Sequence, residues 1–409
     1  MGGGSRALLR RDGALRALFA ARVVSYAGDS MGLVALMLFV ADTTGEGLAV
    51  ALLLLVGDFA PALLGPLTGA IGDRFDLKRV MVAAEVVQGA VVLVIALALP
   101  PLPVLLALVA VRAVAGQVFQ PASRAAVPGI VDGRELEKAN SLVGFGANAA
   151  EAFGPLLAAA LLPVAGIRGV LLVDAATFLV SALVLLRLPA LPPGPREPGS
   201  LVASARAGLG HVLRVPALRV LVLGFCAVVA FNGIDDVALV LLAKDTLGAG
   251  DSAVGLLLGA VGIGLLVGYA LLTRFSAGRS MAALLVGGFL VSSAGNLLTG
   301  FAWAVAAAFA VQAVRGLGIA AMDVAANTLV QRVVPAGMLA RVFGTLYGAI
   351  GVAAALSYVG GGVLLSATDA PTTFVIAGAG GVVATVLVAV TLPRALRRVG
   401  EQAQGDGVG

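Results

Sequence analysis

Apolar runs of roughly 20 residues, separated by short polar breaks, recur along the whole 409-residue chain. A helix of that length crosses a ~30 Å hydrocarbon layer. A water-soluble core could not absorb so many: 60% of residues are hydrophobic and 12% charged, with a mean hydropathy of +1.06, whereas a soluble domain is about 25% charged. Lipid offers the backbone no hydrogen-bond partner, so spanning segments must be helices or a closed barrel, and the two-residue alternation of barrel strands is absent. The sequence thus predicts an all-α integral membrane protein with twelve spans. They fall at about 17–40, 49–71, 79–99, 103–125, 139–163, 169–189, 217–241, 253–273, 281–300, 303–328, 340–365 and 372–393.

Charge gives the orientation, because Lys and Arg collect in loops that stay in the cytosol. With both ends cytosolic, 23 of the 27 basic residues lie on that side. Arg168 and Lys244 fall opposite, and Arg112 and Arg315 fall inside spans. The opening "MGGGSRALLRRDGALRALFAARVV" is basic but lacks a short apolar core and cleavage site, so it reads as a cytosolic segment and not a signal peptide. The basic balance, pI ≈ 9.9, is spread over membrane-flanking loops without interleaved aromatics, which argues against nucleic-acid binding.

The longest polar break, residues 187–219, carries "LPPGPREPGS" and an Ala/Leu-rich end suited to a surface helix. It divides the chain into a six-span bundle at 1–189, a cytosolic linker at 190–216, and a second bundle at 217–409 with a short cytosolic tail. The halves echo each other. "DRFDLKR" (73–79) aligns with "TRFSAGR" (273–279), and "AVRAVAG" (110–116) with "AVRGLGI" (313–319). Two six-helix repeats imply bundles related by pseudo-twofold symmetry, an arrangement that in carriers places substrate at the repeat interface.

Ionisable groups inside spans are costly and default to functional hypotheses. The first half carries Asp29, Asp58, Arg112 and Glu151. Helical spacing puts Arg22, Ser25 and Asp29 on one face, and Asn140, Gly144, Asn148 and Glu151 on another. Three acids around one arginine leave negative charge uncompensated, so one of them should exchange a proton near neutral pH; the alternative is a static ion pair locking helices together. The face of Asp58 with Ala62, Gly65 and Gly69 reads chiefly as helix packing. The second half carries Asn232, Asp235 and Asp236 in the seventh span, and Gln312, Arg315 and Asp323 roughly on one face of the tenth. Asp174 in the sixth span suits a structural role.

Cys226 is the single cysteine, which excludes an intrachain disulfide and suggests a small apolar filler. His211, the single histidine, reads as a solvated linker residue, and no metal site or cofactor is expected. "GAVGIGLLVG" (259–268) resembles a dinucleotide-binding glycine run but lies inside an apolar span. The spacings Gly255/Gly259 and Gly264/Gly268 suit close helix packing instead. No nucleotide site is expected.

The twelve-span plan with a charged loop after the second span, "GAIGDRFDLKRV" (69–80), resembles the major facilitator superfamily of secondary transporters. Gly69, Asp73, Arg74, Lys78 and Arg79 fit that family's loop pattern, with Asp76 and Leu77 departing from it. The variant is similar to the bacterial drug and siderophore exporters that include macrolide efflux pumps, as are "VFQPASRAAVPGIV" with "LEKANSL" and "VDAATFLVSALVLL". Arg112 with Gly116 matches the family's fourth-helix pattern. Gly154 and Pro155 keep part of its antiporter pattern, while Ala150, Ala158 and Ala159 replace glycines. The resemblance implies proton-coupled export of amphipathic small molecules by alternating access, in the bacterial inner membrane, by a monomer with protons, substrate and lipid as partners and no enzymatic activity; the alternatives are a dedicated exporter of a siderophore or other single metabolite, and a non-transporting membrane sensor. It also implies that Asp73 accepts hydrogen bonds from the start of the eleventh helix near Arg341.

Overall fold

The computed structural model describes residues 8–44, 47–193, 200–233, 235–249, 251–275 and 279–405, all in helices and short connections. The side chains of Asp58, Glu151 and Asp236 fall outside the described residues, although their backbones are helical. Each apolar run of the sequence corresponds to a helical segment. These are α1 (Gly13–Thr44), α2 (the run from Gly47 to Arg74), α3 (Leu77–Ala98), α4 (Leu102–Ala126), α5 and α6 (together Leu136–Leu185) and α7 (Pro216–Asn232, continued by Asp235–Leu241). Then come α8 (Asp251–Phe275), α9 (Met281–Thr299), α10 (Val305–Val333), α11 (Leu339–Ala367) and α12 (Ala370–Gly405).

Two of the spans are joined. Leu136–Leu185 runs for 50 residues, about 75 Å at 1.5 Å per residue, more than twice a bilayer core. Gly166, with φ 64°, breaks it into α5 and α6, a conformation that glycine adopts at no steric cost. In α2 the helical ladder is interrupted by a π turn at Leu55–Phe59 and a 3₁₀ turn at Ala60–Leu64. Pro61 explains this, since its ring clashes with the carbonyl four residues back and it has no N–H to donate. Regular helix resumes at Gly65–Arg74, with a proline in its first turn, where the missing N–H is not needed. Asp369 opens α12 by accepting a bond from Thr372 N at 2.7 Å, and that bond holds its exposed carboxyl below the ordinary carboxylate range.

The linker contains a helix, Leu201–Arg214, and the chain bends by 95° between it and α7. His211 lies within this helix and is half-buried, which corrects the expectation of a solvated loop residue; the Ala/Leu-rich sequence has helical propensity enough to order it.

The chain forms two compact units, one of Gly3–Leu209 with Val334–Gly348, the other containing Gly210–Val333 and Ala349–Gly409. In the first, two apolar layers are stacked along the helices. One contains Leu15, Leu18, Met81, Phe119 and Leu142; the other contains Met31, Leu36, Ile95, Leu105 and Phe178. In α1 and α3 the stretches between those layers, 22–30 and 85–90, carry Arg22, Ser25, Tyr26, Asp29, Ser30, Glu85 and Gln88. In the second unit Phe225 and Phe289 pack edge to face at 5.3 Å, and Leu239, Leu257 and Phe374 share a buried cluster.

Glycine sets several helix approaches. A methyl group at Gly65, Gly69, Gly344 or Gly348 would collide with backbone of the facing helix, so α2 and the start of α11 touch main chain to main chain. Gly154 packs closely on α1, where an added Cβ would strike the Ser30 side chain, while its neighbour Pro155 is exposed. Of the two pairs expected to pack α8, Gly264 and Gly268 do abut α10 at Ala313 and Leu317. Gly259 has open space beside it, so spacing alone overestimated that contact; Gly255 lies outside the described side chains.

Candidate functional site

The polar layer of the first unit surrounds a cavity of about 250 Å³. From α4, Arg112 forms an ion pair with Asp29 of α1. Its guanidinium is buried, whereas the Asp29 side chain is 43% exposed. Asp174 of α6 is buried, and Arg112 lies within coulombic reach of it. Its approach to α1 depends on Gly28 and Gly32, where any Cβ would strike Asp174 or Thr177. From α3, Glu85 is fully buried and accepts a hydrogen bond from Ser25 Oγ at 3.2 Å. Arg22 completes the layer. It donates to Ser123, to Tyr26 Oη at 3.2 Å and to Gln120 Oε1 at 3.2 Å, and lies 5.1 Å from the centre of the Tyr26 ring. Its charge reaches Glu85, as does that of Asp174. Gly116 lines the cavity beside Gln88, whose Oε1 would be 3.1 Å from an added Cβ.

This layer holds three carboxyls (Asp29, Glu85, Asp174) and two guanidiniums (Arg22, Arg112). Among the described residues, and with every group ionised, it carries one excess negative charge, with Asp29 alone of the five substantially exposed. A proton or a cationic ligand group would neutralise it, and the surplus is what allows exchange between the two. Sequence reasoning named Asp29 and Arg112 but passed over Glu85, although an acid in the middle of "VMVAAEVVQGAVV" obeys the same rule. Asn148 donates to Gly144 O at 3.0 Å, a bond along its own helix.

The second unit is built differently. Arg315 of α10 pairs with Asp235 of α7, and both side chains are buried. Arg315 also donates to Gln312 Oε1 at 3.1 Å, and Gln312 donates to Thr299 Oγ1 at 3.0 Å. Asn296 donates to Asn232 Oδ1 at 2.9 Å, and Asn232 to Ser293 Oγ at 3.1 Å. Asp323 accepts from Tyr269 Oη and from Asn327 Nδ2, each at 2.9 Å. The structure therefore parts Arg315 from Asp323, which the sequence put on one face; eight residues along a helix exceed the reach of a direct pair, and α7 supplies the partner instead.

At the end of α2, Asp73 accepts from Ala340 N at 2.8 Å, Arg341 N at 3.1 Å and Arg341 Nε at 2.8 Å. Both charged side chains are buried. The start of a helix offers free N–H groups and the positive end of its dipole, so it holds a carboxylate well. Gly208 of the linker helix packs over Arg341, where a Cβ would sit 2.9 Å from Cγ. Arg74 and Lys78 are half-buried and Arg79 is exposed. Asp76 caps α3, accepting from Arg79 N at 3.1 Å, and also accepts from Leu191 N at 2.8 Å.

Membrane-length helices around a buried, charge-unbalanced cavity define a multi-pass membrane transporter. The sequence profile of the Major Facilitator Superfamily matches residues 18–238 and 236–407, and the chain belongs to that superfamily. It is 27% identical over 386 residues to the MFS-type transporter YfiS of Bacillus subtilis (strain 168), covering 91% of each chain. Among solved structures, the human organic anion transporter MFSD10 (TETRAN) aligns with a TM-score of 0.78 at 16% identity, over 92% of this chain and 99% of that one. A bacterial homologue of the iron transporter ferroportin, in its outward-facing state, aligns with a TM-score of 0.76 at 18% identity, over 94% and 99%. A variant of the E. coli fucose:proton symporter FucP aligns at 0.74 and 13% identity, over 92% and 98%. These likenesses show the twelve-helix, two-domain fold.

Proposed function

We propose that this chain exports amphipathic small molecules in exchange for protons, by alternating access, as a monomer in a bacterial inner membrane with both termini cytosolic. The observation that carries the reading is the first unit's cavity, which the Arg112–Asp29 pair shares with the buried acid Glu85, with the buried Asp174 within coulombic reach of Arg112. Substrate and proton compete for the same negative charge, so binding one releases the other. The resemblance of "DRFD" and "VDAATFLVSALVLL" to the drug and siderophore exporter branch supports export over uptake. Asp73 serves as a latch on α11 that opens and reforms in each cycle. Domain limits at 1–189, 190–216 and 217–409 belong to the same proposal.

The size of the cavity favours a second reading within the carrier class. About 250 Å³ is below the ~300–1,000 Å³ usual for drug-sized ligands, and fixed polar groups line it, so a single small metabolite is the alternative cargo. Reconstituted vesicles decide between these readings. With an imposed pH gradient, a panel of amphipathic compounds should be moved uphill, and collapse of the gradient should stop it. Movement of one polar metabolite only would favour the dedicated exporter, and uphill movement indifferent to the gradient would reject proton exchange.

A further inference from the structure

Outside the polar layer, each unit has an apolar groove open at its side, and the internal repeat relates the two. The first, about 680 Å³, is headed by Arg74 and Arg79 and runs past Ala83 and Val87 on α3. The second, about 530 Å³, is headed by Arg279 and runs past Ala283 and Gly287 on α9. Arg79, Ala83 and Val87 each have their counterpart 200 residues later, the offset that aligns "DRFDLKR" with "TRFSAGR". The far walls correspond as well: Val118 and Ala321 lie 203 residues apart, the offset of "AVRAVAG" and "AVRGLGI". Two units that diverged enough to exchange a charged latch for a threonine have kept the same arginine-headed slot in the same register.

We propose that both grooves hold phospholipid with an anionic headgroup, drawn from the leaflet on the side of the basic loops. Eight residues of α3 separate Arg79 from Val87, a slot about 12 Å deep, which accepts the upper part of an acyl chain while the phosphate meets the guanidinium. In the first groove the exposed Arg79 meets the headgroup, with the half-buried Arg74 lining the groove beside it. The nearby carboxylate of Asp76 is engaged by Arg79 N and Leu191 N, so it opposes an anion less than a free acid would. The second groove has Arg279 beside Ser280.

Native mass spectrometry of the full chain, stripped of lipid in detergent and titrated with phosphatidylglycerol or with phosphatidylcholine of the same chains, tests this. Two phosphatidylglycerol molecules should be retained preferentially over phosphatidylcholine. Arg79→Gln and Arg279→Gln, both at exposed positions, should each weaken one of the two by about fivefold. Ala83→Trp, which fills the slot and leaves the charge, should remove the one held at Arg79. Equal retention of the two lipids would overturn the proposal. So would retention unchanged in Ala83→Trp and Ala283→Trp, or displacement of the lipid by an equal concentration of inorganic phosphate.

Discussion

The repeat places an arginine at equivalent positions of the two halves, Arg112 and Arg315, and each pairs with an aspartate on the first helix of its own half, Asp29 or Asp235. The surroundings then diverge. Arg112 shares its field with the buried Asp174, which in turn lies within reach of the buried Glu85, and Asp29 is partly open to the cavity. Arg315 and Asp235 are both enclosed, beside a chain of neutral hydroxyls and amides through Gln312 and Thr299. Among the described residues, the pair thus sits in a charge-unbalanced site in the first half and in a balanced one in the second. Unbalanced charge is what a proton can exchange with; a balanced buried pair chiefly fixes geometry.

That contrast predicts opposite outcomes for neutralising mutations. Arg315→Gln strands Asp235, whose side chain is 11% exposed, and should cost about 3–5 kcal/mol of stability. Adding Asp235→Asn should restore most of it, read as the unfolding midpoint in lipid nanodiscs. Arg112→Gln should cost less, because Asp29 can hydrate and a buried acid can take up a proton. Equal losses at the two arginines would erase the distinction.

In the first half, Asp29→Asn should abolish uphill transport while changing the unfolding free energy by about 1 kcal/mol, since Asp29 is 43% exposed and the buried Arg112 keeps Asp174 as a compensating charge. Persisting uphill transport would remove Asp29 from the proton path.

The halves also differ at their basic loops. Asp73 reaches across to α11, whereas its counterpart Thr273 donates to Ala270 O at 2.7 Å on its own helix. Gly69→Leu should separate α2 from α11 and cost about 1–3 kcal/mol through overpacking, because a side chain there meets the backbone at Ala340. Asp73→Asn keeps the shape and should shift the conformational balance by about 1–2 kcal/mol, on the order of one charge-assisted hydrogen bond. Label distances between the ends of α2 and α11 should lengthen in Asp73→Asn and stay unchanged in Thr273→Val. If both variants behave alike, the loop charges act only as topological anchors.

Hydropathy made the fold legible, since the pattern of apolar runs and polar breaks is a direct consequence of bilayer thickness. Even the break between α5 and α6 is visible, because "VAGIRG" interrupts the apolar run where Gly166 turns. The Asp73 contact was legible through a family motif and not through local chemistry. The partner of Arg315 was not: Asp323 lies near it in sequence, but Asp235, 80 positions away, is brought to it by the packing of α7, which no periodicity encodes. Glu85 was legible and missed, as an acid in an otherwise apolar span. Asp174 carried the same mark, and only its approach to Arg112, permitted by Gly28 and Gly32, places it in the charge cluster rather than in packing alone.

Proton release on substrate binding tests the central claim most directly. A transported compound is added to purified protein in weakly buffered solution, and the pH change is followed. Wild type should release protons, Glu85→Gln and Asp29→Asn should release markedly fewer, and the Arg315→Gln/Asp235→Asn double mutant should release as many as wild type. Unchanged release in both first-half variants, or release lost only in the second-half double mutant, would contradict the assignment of proton exchange to the unbalanced cluster.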